Sequence, residues 1–506
     1  MIDRRAVLTG AIAATVATPS LSATGDPIVG TSAGRFRGMR EGPVRAFRGI
    51  RYGTSKRFQA PVAAPYANAI ADAVAFGPSA PQRGDAYRPQ SEDCLFLNVW
   101  TPDVRRGAAL PVMVYFHGGA YSTGSVVDPL NDGRHLAANG VVVVTVNHRL
   151  NALGYLFLGR LDGRFPDSGN VGQLDLVLAL RWIRANIAAF GGDPDRVTVF
   201  GQSGGGAKIA TLMAMPAAAG LFHRAATMSG QQVTASGPLN ATARARAFLG
   251  GLKATPEELL TMPFERLIEG LEATDPVLGG NLYFGPVLDM KWLVRHPFWP
   301  DAAPQSNAIP MILGNTRDET RGFYRPEHPT IAGLNWDNLA ERLGPELRVD
   351  ISPEWVVKEY RRKFPSHSPE QIFFAATTAG RSWRGQLEEA EARARADAPT
   401  WAYQLDYSSP IEPWRGAPHT MDIPLVFGTI DAPGSISGTG AASRAVSGAM
   451  MKAFVDFAGS GKAGWPQYRL PERATMLFDV PPRVENDPRR EQREIFARVP
   501  YVQPGT

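Results

Sequence analysis

Val197-Thr-Val-Phe-Gly-Gln-Ser-Gly-Gly-Gly206 is the stretch on which the fold turns. Val197–Phe200 is apolar and β-branched, as a short buried strand would be, and Gly206-Ala-Lys-Ile-Ala-Thr-Leu-Met213 has helix composition. Between them, Gly201-Gln-Ser203-Gly-Gly205 fits G-x-S-x-G, the turn that lifts a serine out of a strand and into a helix. Glycines on both sides give such a turn room, and the helix N-terminus aimed at Ser203 favours negative charge developing there. In a chain with 52 glycines the motif alone would be weak. The strand before it and the helix after it make Ser203 the candidate nucleophile, against the plainer reading of a turn that only packs helix on sheet.

Outward from this point the chain alternates strand and helix patterns. Upstream, Val44–Tyr52 reads as an edge strand and Ser91–Trp100 as a strand buried on one face. Pro111–Phe116 and Gly140–Asn147 are continuous apolar runs suited to strands covered on both faces. A helix over Gln173–Phe190 closes at Gly191-Gly-Asp-Pro194, a glycine cap followed by proline. Downstream, Phe222–Ser229, Met311–Asn315 and Trp401–Tyr407 read as strands and Ala445–Gly459 as a helix. The pattern predicts an α/β fold: a mostly parallel central sheet with helices on both faces and the site at the carboxyl ends of the strands. Amphipathic helical stretches predict cap regions at about 235–300 and 325–400. Gly459–Gly464 matches a dinucleotide fingerprint, but it follows a helix and precedes Trp465-Pro466, so it reads as a turn.

The remaining composition bounds the function. The 506 residues are 44% hydrophobic and 20% charged, without repeats or low-complexity linkers, which suits one large domain over 24–506. Net charge is +5, but the basic residues are scattered, so a nucleic-acid partner is not expected. Residues 1–23 read as a twin-arginine-like export signal: Arg4-Arg5, a short apolar run and small residues to Ala23. That run is too short to span a membrane, so the mature chain is expected to be exported to the periplasm or medium without stable membrane insertion. Cys94 is the only cysteine, which excludes an internal disulfide and a thiolate zinc cluster, and H-E-x-x-H is absent. Neither a metal nor a cofactor is expected.

A serine nucleophile needs a base, itself oriented by a carboxylate. His419 lies in a Gly/Pro loop, Arg415–Asp422, after the last strand. Chain order Ser, acid, His makes it the natural base. Asp318 and Glu319 share the loop after Ile309–Leu313, and composition does not choose between them. His117-Gly-Gly-Ala120 and Gly204 offer backbone N–H groups for an oxyanion. Tyr121, Phe284, Trp292 and Phe323 are candidate pocket walls.

With these pieces assembled, the chain resembles the type-B carboxylesterases, the family of para-nitrobenzyl esterase-like enzymes and cholinesterases. The matching segments are Phe47–Tyr52, Glu92–Trp100, Phe116–Tyr121, Asn186–Pro194, Phe200–Gly205, Gly220–Ala225, Asp318–Thr320, His419 and Ile423–Gly428, in family order across nearly the whole chain. The resemblance implies an α/β-hydrolase fold and a Ser203–Glu319–His419 triad, the second carboxylate of the loop being the acid. It further implies oxyanion donors at Gly119, Ala120 and Gly204, with Ser229 and Gln202 behind the triad. The implied reaction is hydrolysis of small to medium, mostly apolar carboxylic esters through an acyl-enzyme. Amides, carbamates or lactones are the alternative substrates, and a non-catalytic binding module is disfavoured because all three triad candidates are present. A monomer or weak homo-oligomer is expected.

The departures are local. Gln202 stands where the family usually has Glu, and Gly204 where it has Ala. The usual N-Y-R-x-G reads Asn147-His-Arg-Leu-Asn151, and Thr320 replaces a glycine. Residues 60–99 hold no tryptophan before the end of that strand, so choline-type cations are poor candidate substrates.

Overall fold

Alternate residues of the central strands enter two different cores. In β4 (Leu110–Phe116), Val112, Val114 and Phe116 belong to one buried cluster and Met113 and Tyr115 to another. A strand buried on both faces has to be apolar at every position, and the continuous runs in the sequence have that character. The computed structural model describes residues 25–503 and 505. The expected export signal lies outside the described residues.

The large sheet has eleven strands. In chain order they are β1 (Met39–Glu41), β2 (Val44–Arg51), β3 (Phe96–Thr101), β4, β5 (Val142–Val146), β6 (Gly192–Gln202), β7 (Arg224–Met228), β8 (Met311–Thr316), β9 (Thr400–Leu405), β10 (Ala474–Phe478) and β11 (Arg483–Asn486). Their spatial order is β11-β10-β9-β8-β7-β6-β4-β5-β3-β2-β1. From β10 through β5 neighbouring strands run parallel, and both flanks are antiparallel. Val44–Arg51 is therefore not an edge strand as its sequence suggested. Met39–Glu41 pairs outside it and forms the edge. The β10–β11 hairpin was not foreseen at all.

One face of the sheet packs against α1 (Val171–Asn186), α2 (Gly204–Leu212) and Arg384–Arg395, through Leu180, Ile183, Ile209, Leu212 and Leu387. The other packs against Asp422–Phe427 and Ala441–Ser460 through Leu425, Phe427, Met450 and Phe454. Helices also occupy Pro238–Leu252, Leu339–Leu347, Pro353–Lys363 and Pro369–Thr377. Gly461 ends the helix Ala441–Ser460 in the left-handed conformation, so Gly459–Gly464 is a helix end running into a turn and opens no helix. Cys94 is free and buried.

The carboxyl ends of β4, β6, β7, β8 and β9 all open at the same edge of the sheet. They deliver, in turn, the loop from His117, Ser203, Ser229, Glu319 and the approach to His419. Behind this edge the segment after β5 is anchored by a buried ion pair. Arg149 donates to Asp175 of α1 through Nη2 (2.6 Å) and Nε (2.9 Å), and its Nη1 reaches the carbonyls of Lys56 and Gln59. Both side chains are almost wholly excluded from solvent.

Removing one partner of such a pair leaves the other charge buried alone. Arg149→Met is expected to lower the unfolding free energy by about 3–5 kcal/mol, and Arg149→Met/Asp175→Leu to recover part of it. Urea denaturation of the three proteins measures both.

Candidate active site

Ser203 joins β6 to α2 with φ 56° and ψ −126°, a strained backbone for a residue with a Cβ. Its N–H donates to the Met228 carbonyl at 2.8 Å, tying the turn to the neighbouring strand. The following residues are held by sterics. A Cβ on Gly205 would lie 1.9 Å from the Phe116 carbonyl oxygen, so only glycine fits. The elbow can close only because α2 begins directly against the end of β4.

The same closeness shapes the loop after β4. Gly119, Ala120 and Tyr121 all have positive φ, and the turn is closed by Ser122 and Thr123 N–H groups donating to the Gly119 carbonyl. Among the described residues the Gly119 and Ala120 N–H groups donate to no other group. Gly204 is the first residue of α2, so its N–H has no intrahelical partner. A Cβ on Gly204 would sit 2.7 Å from the Ala120 nitrogen, which puts these backbone groups side by side next to Ser203.

Glu319 and His419 meet across the sheet edge. His419 Nδ1 is 2.5 Å from Glu319 Oε2. Oε1 of the same carboxylate accepts from Ser229 Oγ, from the Thr316 N–H (2.7 Å) and from Asn315 Nδ2 (3.2 Å). Burial alone would raise the Glu319 pKa, but the imidazole and these hydrogen bonds hold it below the usual carboxylate range. Asp318 faces elsewhere: it accepts from Arg317 Nε (3.0 Å) and the Ala417 N–H (2.9 Å). An ionised carboxylate only accepts, so Nδ1 of His419 carries a proton, and in the neutral ring Nε2 is the acceptor. Gln202 fills that position, its Nε2 lying 3.2 Å from His419 Nε2.

Ala120, Tyr121, Ser203, Gly204, Ser229, Phe323 and His419 line one cavity of about 230 Å³. Phe323 packs on the imidazole, with ring centroids 4.9 Å apart. Two expected wall residues are elsewhere. Phe284 is buried edge-on to Phe248, in the apolar cluster behind Tyr121 and Ala207, and Trp292 donates its indole N–H to Asp167 (2.6 Å). Both rings were drawn away by better partners: apolar surface for Phe284 and a carboxylate for Trp292.

Sequence reasoning also missed three ionisable neighbours. Lys208, one turn into α2, is wholly buried; its Nζ donates to the His117 carbonyl (2.9 Å) and lies 5.4 Å from the Tyr121 ring centroid. Burial pushes its pKa down to about 7. A lysine in an otherwise apolar helix was the available signal. Asp422 accepts from Tyr403 OH (2.9 Å), and burial, then the nearby Glu319 charge, push it up to about 7. Arg381 lines the cavity wall, and no motif marks it. His117 and His148 stack face to face, 4.7 Å apart. Burial, then the Lys208 charge, hold both well below the usual imidazole range, which leaves them unsuited to act as the base.

Comparison with known proteins agrees with this geometry. The profile of the carboxylesterase family matches residues 25–496. The chain belongs to the carboxylesterase family. It is 35% identical to the para-nitrobenzyl esterase of Bacillus subtilis (strain 168) over 493 residues, covering 92% of this chain and 98% of that one. It is 35% identical over 447 residues to the phenmedipham hydrolase of Pseudarthrobacter oxydans, covering 80% and 83%. Among solved structures, a carboxylesterase of Geobacillus stearothermophilus superimposes with a TM-score of 0.83 at 33% identity, covering 93% of this chain and 99% of that one. The carboxylesterase therefore has the α/β-hydrolase fold and is a carboxylic ester hydrolase.

Lys208 gives a pH test of the packing beneath the site. Between its folded pKa of about 7 and the ordinary value of 10.5, the unfolded chain holds a proton that the folded chain does not. Stability from this group therefore rises with pH across that window and is lost as pH falls towards 7, by up to about 1.4 kcal/mol per pH unit. Lys208→Met lacks this slope. The stability of the wild type relative to Lys208→Met is expected to increase by about 2 kcal/mol between pH 7.5 and 9.5 in guanidinium titrations.

Proposed function

We propose that Ser203, His419 and Glu319 are the catalytic triad of a serine carboxylesterase that works through an acyl-enzyme. The observation that carries the reading is the convergence of a strained serine and a carboxylate-oriented histidine on one cavity. Ser203 Oγ attacks the ester carbonyl as His419 Nε2 takes its proton. Glu319 keeps the imidazole in the tautomer with Nδ1 protonated and stabilises the imidazolium. The N–H groups of Gly119, Ala120 and Gly204 receive the oxyanion, each worth roughly 2.7–4 kcal/mol in the transition state. The imidazolium then protonates the leaving alcohol, and water, activated by the same base, cleaves the acyl-enzyme.

Gln202 and Ser229 act through these groups. Ser229 holds the Glu319 carboxylate from behind. The Gln202 amide occupies His419 Nε2 at rest and must yield it to the Ser203 hydroxyl as the ester enters. We further assign residues 1–23 to an export signal of the twin-arginine type, and the helical regions 235–300 and 325–400 to a cap over the cavity. The relatives are named for different substrates, para-nitrobenzyl esters and phenmedipham, so the pocket rather than the triad selects the leaving group.

Ser203→Ala is expected to abolish labelling by an organophosphate probe while the protein stays folded; labelling that persists would move the nucleophile elsewhere. The two loop carboxylates separate just as sharply. Glu319→Gln is expected to cost on the order of 10²–10⁴-fold in kcat with little change in KM. Asp318→Asn, which disturbs only the Arg317 and Ala417 contacts, should cost about tenfold or less. Steady-state kinetics on one activated ester, with folding checked by circular dichroism, decides the assignment.

A further inference from the structure

The wall of the cavity beyond His419 is cationic. Arg348 and Arg381 both line it, and no Asp or Glu does. The other polar wall residues are neutral, among them Gln231, Gln232, Tyr283 and Tyr501. A carboxylesterase that takes only apolar esters has no use for two guanidinium groups on that wall. Arg348 is exposed at the cavity mouth, whereas the Arg381 side chain is only 20% exposed, and shielding that charge carries a desolvation cost.

Local structure places both arginines there in unusual ways. Arg381 belongs to Thr378–Trp383, a π-helical turn between the helices Pro369–Thr377 and Arg384–Arg395. Such a turn inserts an extra residue and re-aims a side chain, and it recurs at functional sites. Arg348 follows the helix Leu339–Leu347 in the left-handed conformation, φ 57°. Neither arginine is well neutralised. Arg381 Nη1 stands 3.8 Å from Glu346 Oε2, a long contact, and that carboxylate also engages the Tyr324 hydroxyl. Arg348 makes no ion pair among the described residues. Burial, and then the Arg348 charge, hold the Arg381 guanidinium below its ordinary pKa, as expected of two like charges sharing one wall.

The position of Arg381 relative to the triad says which half of the ester it meets. Its guanidinium carbon is 4.8 Å from the Phe323 ring centroid, and that ring is 4.9 Å from the His419 ring and tilted 44° to it. Phe323 thus packs against both the arginine and the imidazole. The imidazole is the group that protonates the leaving oxygen, so the alcohol half of the substrate passes Phe323 on the way to Arg381. The acyl half is left to the neutral surface around Tyr121 and Ala207.

We infer that this esterase selects esters whose leaving alcohol carries a carboxylate, with Arg381 as the principal anion-binding residue and Arg348 as its partner at the cavity mouth. The inference rests on the esterase reading of the same site. A planar guanidinium pairs with a carboxylate through two parallel N–H···O bonds, and inside a partly desolvated cleft such a charge-assisted pair outweighs one exposed on the surface. The apolar acyl preference is kept, and a negative charge is required at the other end.

The test uses two butyrate esters that differ in one charge far from the reacting bond: 4-(butyryloxy)butanoate and its carboxamide, 4-(butyryloxy)butanamide, with 4-nitrophenyl butyrate as the activity reference. Butyrate release gives kcat/KM for each. The wild type is expected to favour the carboxylate over the carboxamide at least about tenfold, and the ratio should shrink as sodium chloride is raised from 20 to about 500 mM. Arg381→Met is expected to reduce the ratio by about tenfold or more and Arg348→Met by a smaller factor. A ratio near one, or one that both variants and salt leave unmoved, overturns the inference while leaving the esterase reading intact. So does cleavage of the nitrophenyl ester with neither probe turned over. Failure to cleave any of the three esters sinks the esterase reading itself. Should Arg381→Met fail to fold, the Arg348→Met ratio and the salt dependence of the wild type still decide.

Discussion

A single backbone contact sets the geometry of the whole site: the Phe116 carbonyl lies where a Cβ on residue 205 would have to be. Because only glycine is tolerated there, the start of α2 can press directly onto the end of β4. That contact brings the loop after β4 alongside Ser203 and forces both into left-handed backbone conformations. Strain at one residue costs about 1–3 kcal/mol, and strain at several neighbours persists only when the surroundings over-determine it. Here they do so through the Ser203 N–H on Met228, the closed turn at Gly119, and Lys208 bonded to the His117 carbonyl from inside the core.

Burial then sorts charges that are adjacent in sequence. Asp318 and Glu319 differ by one position, yet one meets an arginine at the surface and the other meets the imidazole in the interior. Glu319 stays ionised because four groups donate to it, so its burial is offset by hydrogen bonds rather than by solvent. Asp422 has one such donor, and burial raises its pKa instead. Two carboxylates close to one histidine are thereby driven apart in proton affinity, which leaves the charge on the one that touches the ring.

What could be read from the sequence follows from the range of the forces involved. The elbow, the doubly buried strands and the glycine cap at residue 191 are local steric and hydrophobic patterns, and they were legible. So was the chain order of serine, acid and histidine, because sheet topology imposes it. The choice between Asp318 and Glu319 was not local, and it needed the resemblance to a family. Phe284 and Trp292 misled because an aromatic side chain follows its best available partner, and a distant carboxylate at Asp167 or a ring at Phe248 leaves no trace nearby in the chain. Arg381 was illegible for the same reason: its place on the wall depends on a π-helical turn far along the chain from Ser203. The β10–β11 hairpin is short and half polar, with little periodicity to betray it.

The two departures on either side of Ser203 belong together. An alanine at position 204, as the family usually has, would drive its Cβ to 2.7 Å from the Ala120 nitrogen, so the loop after β4 sits closer to α2 than an alanine permits. On the other side, a glutamate at position 202 would face the lone pair of His419 Nε2 with a negative charge, whereas the amide of Gln202 donates to it. An amide at this position can donate to a ring nitrogen but brings no negative charge beside the imidazole. In the proposed mechanism this leaves Glu319 as the anion that touches the imidazolium.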